Sequence, residues 1–137
     1  MLKNKVILLL GTNLGNKNNN LKLAQSLINR EVGEVIKLSN ILENEAVGFT
    51  SANTFLNQML EIETSFSPIQ VLKAIKSIEN DMGRVYTTPL SDEMYVDRII
   101  DIDILRFNNV NFSSKILKIP HHQIYTREFV SLLTFNL

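Results

Sequence analysis

Two aspartates separated by a single residue, Asp101 and Asp103, are the residues of this chain best suited to chemistry. They lie in the segment 98–105, and side chains two positions apart on a β-strand point to the same face. Aspartate is depleted in strands, and two carboxylates about 7 Å apart repel by roughly 2 kcal/mol at an effective dielectric near 20. The pair therefore lies either on a solvated edge strand or at a site for a hard cation such as Mg²⁺, which prefers oxygen ligands. The spacing alone favours neither interpretation.

Two arginines flank the segment that leads to these aspartates. Arg98 precedes Asp101 by three residues, and Arg84 lies at the far end of the intervening loop. Guanidinium groups bind phosphate oxygens in a bidentate manner, so two arginines beside an acidic metal site suit a polyphosphate. Each arginine taken singly is more often a solvated surface residue. Only their combination with the aspartates favours phosphate binding.

Adjacent histidines, His121 and His122, follow Pro120, and Arg127 lies shortly after them. Neighbouring side chains on an extended segment point in opposite directions, and zinc normally takes further nitrogen or sulfur ligands, so the two histidines form a poor joint metal site. One of them is interpreted as a phosphate or ribose contact. The alternative is an exposed loop histidine.

An aromatic ring and a short amide, Phe55 and Asn57, occupy one face of another predicted strand. The amide can both donate and accept hydrogen bonds beside the ring, which suits a flat heterocyclic ligand. The alternative is that Phe55 is a core residue. The nearby glycine-containing string 11–15 lacks the Lys-Ser/Thr of a P-loop and the third glycine of a dinucleotide fingerprint, so it is predicted to be a structural turn.

The elements that must position these residues alternate between β and α patterns. Ser67 and Pro68 mark a helix start, as N-cap and first helical residue, and residues 84–96 predict a long surface loop of the kind that often acts as a lid. The order β-α-β-β-α-β predicts an α+β fold on a ferredoxin-like split βαβ plan, with an antiparallel sheet, helices packed on it and an added hairpin. The predicted elements are strands at 5–10, 35–43, 55–63, 99–107 and 110–112, a hairpin turn at 108–109, a helix of about three turns ending before residue 33, and further helices at about 67–82 and 126–133.

Composition excludes several functional classes. The 137 residues suit one domain spanning 1–137, and 14 basic against 14 acidic side chains give no basic surplus for nucleic-acid binding. The chain has no cysteine, so neither a disulfide framework nor a thiolate metal site is available. The apolar run 6–10 is too short for a membrane span or a signal segment. A cytoplasmic monomer with small-molecule partners is expected.

Taken together and in order, the segments resemble the 6-hydroxymethyl-7,8-dihydropterin pyrophosphokinase family of the folate pathway. The resemblance runs from about residue 5 to residue 133, and the ordered combination is more specific than any one segment. The segment 98–105 is similar to the family signature Arg-x-x-Asp-Leu-Asp-Ile. The other similar segments are Leu10-Gly11-Thr12-Asn13-Leu14-Gly15, Val47-Gly48-Phe49, Phe55-Leu56-Asn57, Glu79 with Gly83-Arg84-Val85, and Ile119-Pro120-His121 with Arg127-Glu128-Phe129-Val130.

The resemblance implies transfer of the terminal pyrophosphoryl group of ATP to the hydroxymethyl oxygen of the pterin, with release of AMP. It implies that Asp101 and Asp103 bind two Mg²⁺ ions that bridge the phosphates. The further implied roles are a phosphate clamp by Arg84 and Arg98, nucleotide contacts by Glu79, His121 and Arg127, a pterin sandwich by Phe55 and Phe129, and recognition of the pterin edge by Asn57 and the backbone around Val47 and Gly48.

The chain departs from the family pattern in the loop before the signature arginine. Val96-Asp97 stands in place of Gly-Pro, Tyr95 stands in place of a tryptophan, and the loop between Arg84 and Arg98 is a few residues longer. These departures keep open the alternative of a non-catalytic relative that binds nucleotide or pterin. A separate alternative is a ferredoxin-like interaction module whose aspartates are only solvated.

Overall fold

The computed structural model of the chain describes residues 3–45, 54–83, 99–109, 112–113 and 118–119. In these residues the main sheet has the strand order β2-β4-β1-β5, β3 also pairs with β4, and β6 and β7 form a separate two-stranded sheet. Every pairing is antiparallel, so the predicted α+β class is confirmed. The elements are β1 (Asn4–Thr12), α1 (Lys17–Glu31), β2 (Glu34–Leu38), β3 (Leu42–Glu45), β4 (Thr54–Thr64), α2 (Pro68–Asp81), β5 (Asp101–Phe107), β6 (Phe112–Ser113) and β7 (Lys118–Ile119).

Side-chain caps start both helices found in the described residues. The Asn16 side chain accepts a hydrogen bond from the Asn19 N–H at 3.2 Å at the start of α1. At α2 the predicted Ser67 cap is confirmed, and it forms a capping box in which Ser67 and Gln70 each accept a hydrogen bond from the backbone N–H of the other. Neither of the two helices in the described part of the chain is long and apolar enough for a membrane crossing.

The two helices pack on one face of the main sheet, which we call the helix face. Alternation along β4 places Leu56, Leu60 and Ile62 in this core, as predicted from the sequence, and β1 and β5 contribute in the same way. The opposite face, which we call the site face, carries the alternate residues and a smaller apolar cluster around Leu9 and Leu105. The core side chains of the helix face include Val6, Leu8, Leu10, Leu21, Ile28, Val71, Ile75, Ile78, Ile102 and Ile104.

The single strand predicted at 35–43 is wrong, because the structure divides it into β2 and β3. Leu38 pairs with Leu60 and Leu42 pairs with Asn57. Between these two pairs the chain advances four residues from Leu38 to Leu42, whereas β4 advances only three. Ser39 lies at the interruption, where its hydroxyl accepts a hydrogen bond from the Met59 N–H at 2.7 Å. A side chain thus takes a position in the ladder, which periodicity alone does not reveal.

One predicted turn and one predicted hairpin also differ from expectation. β1 extends to Thr12, so Gly11 belongs to a strand and not to the turn that the sequence suggested. Asn108 forms the predicted turn with φ 48°, and its N–H donates to the Lys5 carbonyl at 2.7 Å. The next described strand, β6, pairs with β7 instead of returning to β5. The predicted loop at 84–96 and helix at 126–133 lie outside the described residues.

Candidate active site

The predicted pterin pair and the predicted metal pair share the site face. Gly11 in the middle strand β1 pairs with Asn57 of β4 on one side and with Asp101 of β5 on the other. Neighbouring strands lie about 4.8 Å apart, so the backbones of Asn57 and Asp101 are separated by roughly 10 Å. Two residues further along the same pair of strands, Leu9 of β1 pairs with Asp103 of β5. The sheet therefore holds an aromatic–amide pair and an acidic pair side by side.

Gly11 lies beside the predicted pterin pair, and sequence reasoning missed this placement. A Cβ atom at this position would lie 3.1 Å from Asn57 Oδ1 and 3.9 Å from Phe55 Cδ1. The absence of a side chain therefore leaves room for the Asn57 amide beside β1. A glycine inside an apolar strand pattern signals a close approach of this kind, but its position in a turn-like string concealed that signal.

The pterin pair differs in exposure, and the start of its strand is anchored to two other elements. Asn57 is buried, and Phe55 is half-buried and lies outside the two apolar clusters found among the described residues. At the start of β4, the Lys17 ammonium donates to the carbonyl and hydroxyl of Thr54 at 3.2 and 3.1 Å. The Thr54 hydroxyl donates in turn to Glu43 at 3.1 Å. Helix α1 and strand β3 thereby hold the strand end that carries Phe55.

The acidic pair lies in an environment that disfavours two negative charges. Burial raises the pKa of Asp103 well above its ordinary value, and the charge of Asp101 and a hydrogen bond with it raise that pKa further. Glu79 adds to the increase, whereas Lys76 acts in the opposite direction. The structure thus places these carboxylates where a cation would relieve their repulsion.

The donor set suits magnesium. Mg²⁺ is usually held by one or two carboxylates together with water and substrate phosphates. Within the ranges that the structure describes, no group of three or more histidine, cysteine, aspartate or glutamate side chains is arranged to hold a metal. The two aspartates are consistent with such a site, and their binding of a metal stays a prediction.

Glu79 lies in α2 and contacts the backbone of β5, the strand that carries the acidic pair. Its side chain is fully buried, and one carboxylate oxygen accepts a hydrogen bond from the Ile102 N–H at 2.8 Å. The other oxygen lies 3.5 Å from the Lys76 ammonium. Ile102 is the residue between Asp101 and Asp103. The observed contacts of Glu79 are therefore with the protein itself, and its nucleotide contact stays a prediction.

The remaining predicted site residues lie outside the described residues, and their roles stay predictions. They comprise the phosphate clamp, two nucleotide contacts and part of the pterin site. Five of the twelve predicted positions are thus placed, namely Phe55, Asn57, Glu79, Asp101 and Asp103. The undescribed ones are Val47, Gly48, Arg84, Arg98, His121, Arg127 and Phe129.

The chain is thus an α+β protein whose sheet carries an acidic pair beside an aromatic–amide pair. It belongs to the 7,8-dihydro-6-hydroxymethylpterin-pyrophosphokinase (HPPK) family, whose model matches residues 7–137. The 2-amino-4-hydroxy-6-hydroxymethyldihydropteridine pyrophosphokinase of Bacillus subtilis is 34% identical over 130 residues, covering 94% of this chain and 75% of the relative. The Porphyromonas gingivalis protein of the same name is 35% identical over 128 residues, covering 93% of this chain and 86% of the relative.

Solved structures confirm the fold. A crystal structure of Plasmodium falciparum HPPK-DHPS superposes with a TM-score of 0.70 at 18% identity, covering 96% of this chain and 39% of that one. A structure of HPPK-DHPS in complex with substrates gives a TM-score of 0.72 at 17% identity, covering 97% and 40%. This chain therefore spans about two fifths of those solved chains. The predicted family and pyrophosphokinase class are confirmed, and the non-catalytic and interaction-module alternatives are not favoured.

Proposed function

We propose that this chain transfers pyrophosphate from ATP to 6-hydroxymethyl-7,8-dihydropterin, giving AMP and the pterin diphosphate, in folate biosynthesis. The observation that carries the proposal is the row formed by Asn57, Gly11 and Asp101 across three strands. This row puts a pair suited to a pterin roughly 10 Å from a pair suited to a metal-bound phosphate. Family membership supports the same reaction class.

In the proposed reaction, Asp101 and Asp103 would hold two Mg²⁺ ions. The shared face of the two aspartates supports this role. Burial and the charge of Asp101 raise the pKa of Asp103, and a bound dication would offset both effects because it favours the charged form of each carboxylate. When bound, magnesium neutralises charge on the phosphate oxygens during transfer.

The pterin would lie against Phe55, with its polar edge toward Asn57. An aromatic ring offers a flat apolar contact, and the amide can donate and accept at the same time, which matches the mixed donors and acceptors of a pterin edge. Phe129 and the backbone around Val47 and Gly48 would complete this site, on the basis of the family resemblance.

Positioning and electrostatics would supply most of the rate acceleration, because transfer of this kind needs no protein nucleophile. Arg84 and Arg98 would bind the phosphates, and His121 and Arg127 would contribute to nucleotide binding. A cytoplasmic monomer remains the expectation from the sequence.

A chromatographic assay tests the proposal. The protein is incubated with ATP, Mg²⁺ and reduced hydroxymethylpterin, and AMP is separated from ADP and ATP. AMP should appear only when all three components are present. AMP that forms without the pterin, or ADP as the main product, would contradict the proposal. Heat of binding in a calorimeter without any AMP would instead support the non-catalytic alternative.

A further inference from the structure

The strand that carries the acidic pair lies at the end of the main sheet. In the strand order of the described residues, β5 is bonded to β1 and comes last. In an antiparallel pair, alternate residues direct their backbone N–H and C=O groups toward the partner strand, and the others direct them away from it. The Ile102 N–H bonds to Glu79, so it points away from β1, and alternation directs the backbones of Asp101 and Asp103 toward β1.

Glu79 thus holds the outer side of β5 at the residue between the two aspartates. An outward N–H on an edge strand needs a hydrogen-bond partner, and a carboxylate is a stronger acceptor than a neutral group. The Glu79 carboxylate lies 2.8 Å from this N–H and belongs to a fully buried side chain of α2. Because α2 packs on the helix face through Ile75 and Ile78, the contact connects the acidic pair to the rigid core.

A buried carboxylate at this place is unfavourable unless it is paired and hydrogen-bonded. The half-exposed Lys76 ammonium, 3.5 Å away, compensates part of its charge. An apolar residue of similar size would pack among the helix residues without that penalty, but it would leave the Ile102 N–H without its acceptor. Glu79 therefore supplies a hydrogen-bond acceptor to β5, although an apolar residue would be easier to bury at this position.

We propose that Glu79 is a positioning residue for the acidic pair. By holding the Ile102 backbone from the side opposite β1, it fixes the spacing and direction of the Asp101 and Asp103 side chains for cation binding. The inference rests on the proposed function, since it assigns the aspartates to the metal. It differs from the nucleotide contact that the family resemblance implies for Glu79, because Glu79 acts here through β5.

Two substitutions and one control test this role. Glu79→Gln retains an oxygen that can accept from Ile102, whereas Glu79→Leu removes the acceptor. Ile75→Val is the matched control, because it perturbs the buried face of α2 and leaves the Glu79 acceptor of the Ile102 N–H in place. The primary readout is the Mg²⁺ concentration at half-maximal AMP formation, together with the KM values for ATP and pterin. Hydrogen exchange of the Ile102 amide, followed by NMR, reports the contact directly.

The expected result separates the three proteins. Loss of a residue that supports the metal ligands typically reduces metal affinity or activity by about 10–100-fold. Glu79→Leu should therefore raise the Mg²⁺ concentration at half-maximal AMP formation, the Mg²⁺ midpoint, by about 10–100-fold and speed hydrogen exchange of the Ile102 amide. Glu79→Gln should stay close to the wild type in both respects. Ile75→Val should lower thermal stability and leave the Mg²⁺ midpoint unchanged. The KM for the pterin should stay unchanged in all three.

Several outcomes would overturn the inference. If Glu79→Gln shifts the midpoint as far as Glu79→Leu, the charge or a nucleotide contact matters instead of the backbone hydrogen bond. If Ile75→Val shifts it equally, general destabilisation is the cause. If Glu79→Leu does not fold, two other results would overturn the inference. One is rapid exchange of the Ile102 amide in the wild type, and the other is loss of Mg²⁺ binding in Glu79→Gln.

Failure of the proposed function is distinguishable from failure of this inference. A wild-type protein that releases no AMP contradicts the proposed function. The Mg²⁺ midpoint is then read from NMR shifts of the Ile102 amide and its neighbours, with an ATP analogue that carries a methylene group between the α and β phosphorus atoms. An unchanged midpoint in Glu79→Leu under those conditions overturns the positioning role.

Discussion

Asn57 and Asp101 lie opposite the same residue of β1, Gly11, from its two sides. Because Gly11 has no side chain, the space above β1 between the amide and the carboxylate is free of any side chain from Gly11 itself. In the proposed reaction, a pterin bound at Asn57 would extend across β1 toward phosphates bound by magnesium at Asp101. This relationship connects the pterin site with the metal site in the proposed reaction, and it defines which substitutions should affect each substrate.

Replacement of Gly11 by alanine should weaken pterin binding. The new Cβ would lie 3.1 Å from Asn57 Oδ1, so the amide must shift by a few tenths of an ångström. We expect the KM for the pterin to rise about tenfold, which corresponds to about 1.4 kcal/mol, the size of one typical hydrogen bond. Steady-state kinetics with either substrate varied should show little change in the KM for ATP.

Gly33→Ala is the matched control for the alanine substitution. A Cβ at Gly33 would collide with the Glu63 carbonyl oxygen and would lie 2.8 Å from Thr64 Cβ, at the end of β4 that lies away from Asn57. Overpacking of this kind typically costs about 1–3 kcal/mol, so urea unfolding should show the loss while the KM for the pterin stays unchanged. A rise in that KM equal to the Gly11→Ala effect would contradict a specific role for Gly11.

Replacement of Asn57 by leucine should affect recognition of the pterin edge. Leucine is similar in size but can neither donate nor accept hydrogen bonds, so polar groups of the bound pterin would be left unpaired at a site that is 5% exposed. The expected loss is about 1–3 kcal/mol in kcat/KM for the pterin, with binding of ATP unchanged in calorimetry. An equal loss for both substrates would show that Asn57 has only a structural role.

Asp101→Asn and Asp103→Asn should each reduce turnover without unfolding the domain. Each substitution removes one negative charge from the proposed metal site, and removal of one electrostatic contact to the transition state commonly costs about 10²–10³ in kcat. Circular dichroism should report an intact fold for both variants. Near-normal turnover in either variant would show that the metal assignment is wrong.

Asp103→Asn should also stabilise the metal-free protein at neutral pH. The pKa of Asp103 is raised in the folded state, so the folded protein binds this proton more tightly than the unfolded chain does. Stability then falls as pH rises from the ordinary pKa toward the raised one, and asparagine removes that loss. The gain should be on the order of 2 kcal/mol, because asparagine removes both the cost of burying the charge and the repulsion by Asp101.

Urea unfolding in EDTA at several pH values checks this stability prediction. The advantage of the asparagine variant should disappear below the ordinary aspartate pKa of about 3.9, where Asp103 is protonated in both the folded and the unfolded chain. Asp81→Asn serves as the control, since Asp81 is an exposed residue at the end of α2. A variant that is less stable than the wild type throughout the pH range would contradict the predicted repulsion.

Local features of the fold could be predicted from the sequence, because neighbouring residues determine them. The shared face of Asp101 and Asp103 follows from the strand period, and the Ser67 cap follows from its position before Pro68. The family resemblance added the reaction, which spacing alone could not supply.

Features that depend on pairing between distant segments could not be predicted in the same way. Gly11 belongs to β1 because β4 and β5 pair with it, and nothing within residues 11–15 distinguishes that arrangement from a turn. The contact between Glu79 and Ile102 joins residues 23 positions apart, and the interruption at Ser39 depends on Met59 across the sheet. Each of these outcomes requires the tertiary arrangement.

The destination of the β phosphorus of ATP tests the central claim most directly. The protein is incubated with Mg²⁺, reduced hydroxymethylpterin and ATP radiolabelled at the β phosphorus, and the products are separated by chromatography. Transfer of a pyrophosphoryl group predicts that the label moves to the pterin and that the AMP is unlabelled. Label that remains in ADP, with a pterin product carrying none, would contradict the account.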